Sequence, residues 1–272
     1  MSLAKRHYKT CLSIAGSDPY GGAGVQADIK TFSALGCYAM GAITALTVQN
    51  SQGVRSSQPV DADLVEAQAQ AVADDVRIDA LKIGMTCNAE IIEVLARFIE
   101  RTAIPFIVLD PIMVSSSGHR LLDEEAIATL KRRLLPLCTL ATPNLDELAA
   151  LASGATTDEQ VQRLAAETSC PNILAKGGHA DGLPIDVLFT PTNKYTYTSE
   201  RIATPNTHGT GCTLSSAIAA FVARGLPLPE AVEQAKEFVT QALRSGADVE
   251  IGQGHGAMNH FFAPLPLEID KD

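Results

Sequence analysis

Between positions 10 and 176, short apolar segments of strand length alternate with longer segments of helical period, and this alternation leaves little choice of architecture. It is the pattern of βαβ units, in which a mainly parallel sheet is covered by helices on both faces. The apolar runs predict strands near residues 10–15, 39–49, 80–84, 106–110, 138–141 and 172–175. Helical periodicity predicts helices near 24–35, 62–75, 88–101, 124–134, 145–151, 158–168, 210–223 and 229–245. Residues 185–190 and 194–199 flank Pro191, Thr192 and Asn193 and read as a β-hairpin that adds antiparallel strands at one edge. No long linker, low-complexity stretch or internal repeat interrupts the pattern, so residues 1–272 are expected to form one domain.

The 46% of hydrophobic residues is ample for such a core, and the net charge of −10 argues against nonspecific binding to nucleic acid or to an anionic membrane. No apolar run approaches the roughly 20 residues of a membrane span, and residues 1–10 are basic and polar. A cytoplasmic protein with a small-molecule partner is the expectation. The six cysteines are scattered without a Cys-x-x-Cys pair, which disfavours both a zinc site and a disulfide framework. Five of them read as small apolar residues; Cys212 has neighbours that suggest reactivity.

In open parallel sheets, ligands sit beyond the carboxyl ends of the strands. Seven segments at such positions, or opening a helix, draw notice. Asn206, Thr207, His208, Gly209, Thr210, Gly211, Cys212 and Thr213 run straight into an apolar helix, so unpaired amides and the positive helix end can face an anion or a thiolate. Taken alone, the same residues fit an ordinary tight turn with a buried cysteine. Gly16 to Gly24 form a glycine-rich loop that is neither a Walker A motif nor Gly-x-Gly-x-x-Gly. Asp28, just beyond it, fits either a carboxylate favoured by the helix start or a group that binds a substrate hydroxyl or amine. Gln49 can read the edge of a heterocycle, and Met85 can pack on a ring face or simply fill the core. Asp110 ends a central strand where a carboxylate can hold magnesium. Asn144 and Glu147 fit a capping box or a metal and phosphate site, and Lys176 can neutralise phosphate. Residues 252–256 form a glycine-rich loop that fits a lid or a plain surface loop.

These segments together resemble the hydroxymethylpyrimidine and phosphomethylpyrimidine kinases of thiamine biosynthesis, a branch of the ribokinase-like superfamily. The resemblance rests on Ile14-Ala-Gly-Ser-Asp18, Gly21-Gly-Ala-Gly24, Gln26-Ala-Asp-Ile-Lys-Thr31, Ile43-Thr-Ala-Leu46 with Gln49 and Asn50, Lys82-Ile-Gly-Met85, Leu109-Asp-Pro111, Pro143-Asn-Leu-Asp-Glu147, Lys176-Gly-Gly-His179 and Asn206 to Thr213. It implies a three-layer α/β/α ribokinase-like fold and phosphate transfer from MgATP to 4-amino-5-hydroxymethyl-2-methylpyrimidine and then to its monophosphate. By match, Gly16, Asp28, Gln49 and Met85 fall on the pyrimidine site. Asp110 and Glu147 fall on positions linked to Mg²⁺, and Asn144, Lys176, Thr207 and Thr210 on positions linked to ATP phosphates. Gly209, Thr210, Gly211 and Cys212, with Lys176, form the implied catalytic set, Cys212 standing where much of the superfamily carries an aspartate base. A Cys212 thiolate of lowered pKa is the expectation if the helix start dominates. Ser115, Ser116, Ser117 and His119 depart from the pattern of some relatives. The resemblance also implies a homodimer. A pyridoxal kinase of the same branch, or a noncatalytic pyrimidine-binding sensor, is the alternative.

Overall fold

A computed structural model describes residues 6–114, 118, 121–178 and 182–269. Ser115, Ser116, Ser117, His119 and His179 lie outside the described residues. The chain runs β1 (Thr10–Ser17), α1 (Gly24–Ala34), β2 (Tyr38–Asn50), β3 (Gly53–Pro59), α2 (Ala62–Ala73), β4 (Ala80–Ile83), α3 (Ala89–Arg101) and β5 (Ile107–Leu109). It continues through α4 (Glu124–Thr129), β6 (Leu140–Ala141), α5 (Leu145–Leu151), α6 (Thr157–Thr168), β7 (Ile173–Lys176), β8 (Ile185–Phe189), β9 (Lys194–Thr198), α7 (Thr210–Ala223) and α8 (Leu228–Ser245). The predicted helix at 124–134 is helical throughout but divided, α4 passing into a wider π turn over Leu130–Leu134.

Alternating side chains explain the layers. In β1, Leu12 and Ile14 point into a core built with α2 to α6, whereas Cys11 points into a second core built with α1, α7 and α8. β5 repeats the division, Ile107 and Leu109 to one side and Val108 to the other. Both faces of the sheet are therefore buried, which gives the three layers.

The nine strands lie in the order β3-β2-β1-β4-β5-β6-β7-β8-β9. From β2 to β7 neighbours are parallel; β3 pairs antiparallel with β2, β8 with β7 and β9 with β8. The hairpin is where the sequence placed it. β3 was not foreseen, because its residues are largely polar and it buries neither face, so no period-two apolar signal exists to read. The strand order reverses between β1 and β4, which opens a crevice beyond their carboxyl ends. α7 lies across β1, β4 and β5 and brings its N-terminus to that crevice.

Candidate active site

The turn before α7 is built by close approach. Gly209 has φ +83°, and a Cβ there would sit 1.8 Å from the Gly22 carbonyl oxygen. Only glycine fits, and its fit presses the loop after β1 against the start of α7. α7 begins at Thr210 with no side-chain cap, so its first amides keep no acceptor from the preceding turn's side chains. A Cβ on Gly211 would lie 3.4 Å from Lys176 Nζ and 3.7 Å from Asp110 Oδ2, which puts the helix start against an ion pair.

That pair is tight, with Lys176 Nζ 2.6 Å from Asp110 Oδ1, and only the lysine shows surface, 12% against 1%. Thr142 Oγ1 donates to the same oxygen at 3.2 Å, and Ser215 Oγ, on α7, to the other at 3.5 Å. Burial would lower the pKa of Lys176, but Asp110 and Glu147 outweigh it and hold the ammonium charged. Glu147 closes a capping box with Asn144, accepting from the Asn144 amide at 2.7 Å while its own amide donates to Asn144 Oδ1 at 2.8 Å. Its pKa is pushed up to about 7, by burial first and by the charge of Asp110, with Lys176 opposing. Asn144 pairs with Lys176 as a parallel bridge, so the expected Asn144, Glu147, Asp110, Lys176, Thr210, Gly211 and Cys212 gather around the start of α7. Thr207 stands at the exposed rim, its carbonyl accepting from the Thr210 amide at 3.3 Å.

Beside the same turn, the loop after β1 is ordered by Asp18. Its carboxylate accepts from the amides of Tyr20, Gly22 and Ala23 and lies 2.9 Å from His208 Nε2. Burial raises its pKa, but His208 and those amides win and hold it below the usual carboxylate value. Gln49 Nε2 lies 3.5 Å from the same His208 nitrogen. Met85 Sδ fills the space beside Gly16, 3.0 Å from where a Cβ would stand, so Gly16 and Met85 pack together at the end of β1. The glycine-rich loop at 252–256 lies against Ser51 and His208. His255 N donates to the Ser51 carbonyl at 2.9 Å, His208 N to Gly256 at 3.1 Å, and Tyr20 OH to Ile251 at 2.6 Å.

Two expectations are corrected. Asp28 does not face the crevice: it has no exposed surface, and both its oxygens are taken by Lys82 Nζ at 2.8 Å, with Ser13 and Ser216 adding their hydroxyls. Cys212 is not acidified. Burial pushes its thiol up to about 11, although Lys82 and the Gly24 amide at the start of α1 pull the other way. Sequence reasoning gave no role to Asp18, His208 and Lys82. Lys82 carried a legible signal, a charge in a strand whose neighbours are apolar; the Asp18–His208 pairing carried none.

The sequence model of the phosphomethylpyrimidine kinase family matches residues 18–259. The chain belongs to this family of phosphotransferases. It is 46% identical over 258 residues to the hydroxymethylpyrimidine/phosphomethylpyrimidine kinase of Escherichia coli (strain K12), an alignment covering 93% of this chain and 97% of that one. The crystal structure of phosphomethylpyrimidine kinase from Clostridium difficile 630 superposes with a TM-score of 0.75 at 38% identity, covering 86% of this chain and 99% of that chain. The ADP complex of Bacillus subtilis pyridoxal kinase superposes with a TM-score of 0.83 at 34% identity, covering 93% and 98%. The family therefore shares the ribokinase-like layers described above, and no helix among the described residues is long and apolar enough to cross a membrane.

Proposed function

We propose that this chain transfers the terminal phosphate of ATP to the hydroxymethyl group of 4-amino-5-hydroxymethyl-2-methylpyrimidine and then adds a second phosphate to the monophosphate, in thiamine biosynthesis. The observation that carries this reading is the approach of the α7 start to the Lys176–Asp110 pair, with Gln49 against His208 just before that start and Met85 against Gly16 at the end of β1. Gln49 offers an amide to the edge of the aminopyrimidine, and Met85, backed by Gly16, a polarisable side to its ring. Thr207, Thr210, Asn144 and Lys176 serve the phosphates of ATP. The turn amides and Lys176 gather the negative charge of the moving phosphoryl group.

Among the described residues no cluster of three or more potential protein ligands forms a metal cage. Asp110 and Glu147 nevertheless fit Mg²⁺, which takes hard oxygens from one or two carboxylates together with substrate phosphates and water; these two residues would hold it, and when bound it neutralises phosphate charge. The raised pKa of Glu147 fits a carboxyl whose charge still lacks a full partner.

In the transfer, the substrate hydroxyl oxygen forms a bond to the γ-phosphorus as the bond to ADP breaks and its electron pair leaves with ADP. The transition state is loose, so the hydroxyl proton departs late, to a water or to an oxygen of the transferred phosphoryl group, when the alcohol oxygen has become a far more acidic ester oxygen. Cys212, a thiol at neutral pH, shapes the hole and donates to it; alignment and charge supply the rate. We also place the enzyme in the cytoplasm as a homodimer, on the family resemblance.

Phosphorylation of pyridoxal is the second reading, favoured by the 0.83 superposition on a pyridoxal kinase. A coupled assay of ADP release with hydroxymethylpyrimidine, its monophosphate and pyridoxal separates the two. The proposal expects the two pyrimidines to turn over fastest, and a clear preference for pyridoxal would overturn it.

A further inference from the structure

β1 and β4 lie side by side with Ser13 opposite Lys82. On the face toward α1 and α7, their neighbours Cys11 and Ala80 belong to the apolar core, so Ser13 and Lys82 are polar residues set into an apolar layer. Lys82 Nζ lies 2.8 Å from both oxygens of Asp28, Ser13 Oγ donates to Oδ2 at 2.6 Å, and Ser216 Oγ donates to Oδ1 at 2.7 Å. All four residues are 0% exposed. Gly84 leaves the room this needs, since a Cβ there would stand 2.9 Å from the ammonium.

Stability alone does not call for such a network. Removing two charges from water costs several kcal/mol per ion, and well-packed apolar side chains in their place are often as stable. Its placement is more telling. Ser216 lies on α7 one turn beyond Cys212, so the network is fastened beneath the helix start. The charges that face Cys212 come from four elements: Lys82 on β4, Asp28 on α1, Asp110 after β5 and Lys176 on β7. Among them the Lys82 ammonium opposes the effect of burial most strongly and outweighs its own partner Asp28. The ammonium lies beside Gly84, at the carboxyl end of β4, and Ser216 ties the pair to α7, so the pair sits beneath the helix start while the two serine hydroxyls disperse its negative end.

We propose that Lys82 is a positioning residue of the transfer site, a buried cation fixed by Asp28, Ser13 and Ser216, whose charge backs the first turn of α7 and strengthens it as a host for negative charge. Whether that charge sits on a moving phosphoryl group or on the Cys212 sulfur, the field acts with the helix dipole. The inference rests on reading that turn as the phosphoryl site, yet its test needs no substrate.

The test is the rate at which iodoacetamide alkylates Cys212 in the full chain at one mildly alkaline pH, followed on the peptide that carries Cys212. Loosened packing would expose the sulfur and speed the reaction; a lost cation would deplete thiolate and slow it. Lys82→Met is expected to slow alkylation about tenfold or more, the effect of one pKa unit. In the kinase assay the same variant should lower kcat while KM for ATP holds, and Lys82→Arg should restore part of both. Unchanged or faster alkylation in Lys82→Met would overturn the proposal. Should that variant fail to fold, Ser216→Ala, which strips one donor from Asp28, is expected to slow alkylation about twofold by the same reasoning; no change, or a faster rate, overturns it equally.

Discussion

Two lysine–aspartate pairs lie beneath α7, and they differ in what each lysine can reach. Lys176 and Asp110 meet at 2.6 Å with 12% of the lysine side chain open, at the carboxyl end of the sheet. Lys82 and Asp28 meet at 2.8 Å with no surface on either, the lysine on β4, three strand positions from β7 in the same sheet. On the function proposed above, the outer pair exchanges its partner for an incoming phosphate, because part of the lysine side chain is open. The inner pair cannot, so its influence is limited to a fixed field. On that proposed function, identical chemistry serves as ligand contact in one place and as background charge in the other, with burial deciding which.

If both pairs act on the first turn of α7, displacing that turn should do the most damage. Gly209→Ala puts a Cβ on a φ +83° residue and into the Gly22 carbonyl, so turnover should fall by about 10³ or more, as when oxyanion donors are misplaced. Steady-state kinetics on the folded variant checks this, and a loss under tenfold would separate the turn from the chemistry. Cys212→Ala removes the group that feels both lysines. Turnover is expected to drop about 10²-fold, the low end for losing one donor to the moving phosphoryl group, with KM for ATP little changed.

The smallest effect isolates the outer pair. Glu147 titrates near 7 in the fold against an ordinary 4.5, so between those values the folded state binds the extra proton. Stability should therefore be complete below about pH 4.5 and decline as pH rises through 7, by on the order of 1–3 kcal/mol. Melting temperatures across that window should show the slope in the wild type and lose it in Glu147→Gln. A slope that survives the substitution would place its origin elsewhere.

Much of this was legible in the chain because it is local. Six strands and eight helices follow from apolar period, and the cluster around the start of α7 follows from residues that close a strand or open a helix. Asn144 and Glu147 are three apart, and their capping box needs no tertiary knowledge. The buried network was not legible, since Lys82 and Asp28 are 54 positions apart and Ser216 and Asp28 188 apart. Distance in sequence also explains the two corrections. The resemblance makes Asp28 a ligand group, and a helix start, read locally, makes Cys212 an acid; packing against distant strands buries the first and raises the pKa of the second. β3 escaped for the opposite reason, having no buried face to leave a pattern.

The central claim is that one phosphoryl-transfer centre, the first turn of α7 faced by Lys176, serves both phosphorylations. The kcat of Lys176→Met, measured with hydroxymethylpyrimidine and with its monophosphate at saturating ATP, tests it most directly. The account predicts the same loss for both acceptors, about 10³-fold, from a lost charge at the moving phosphate. A loss under tenfold, or a loss confined to one acceptor, would contradict it.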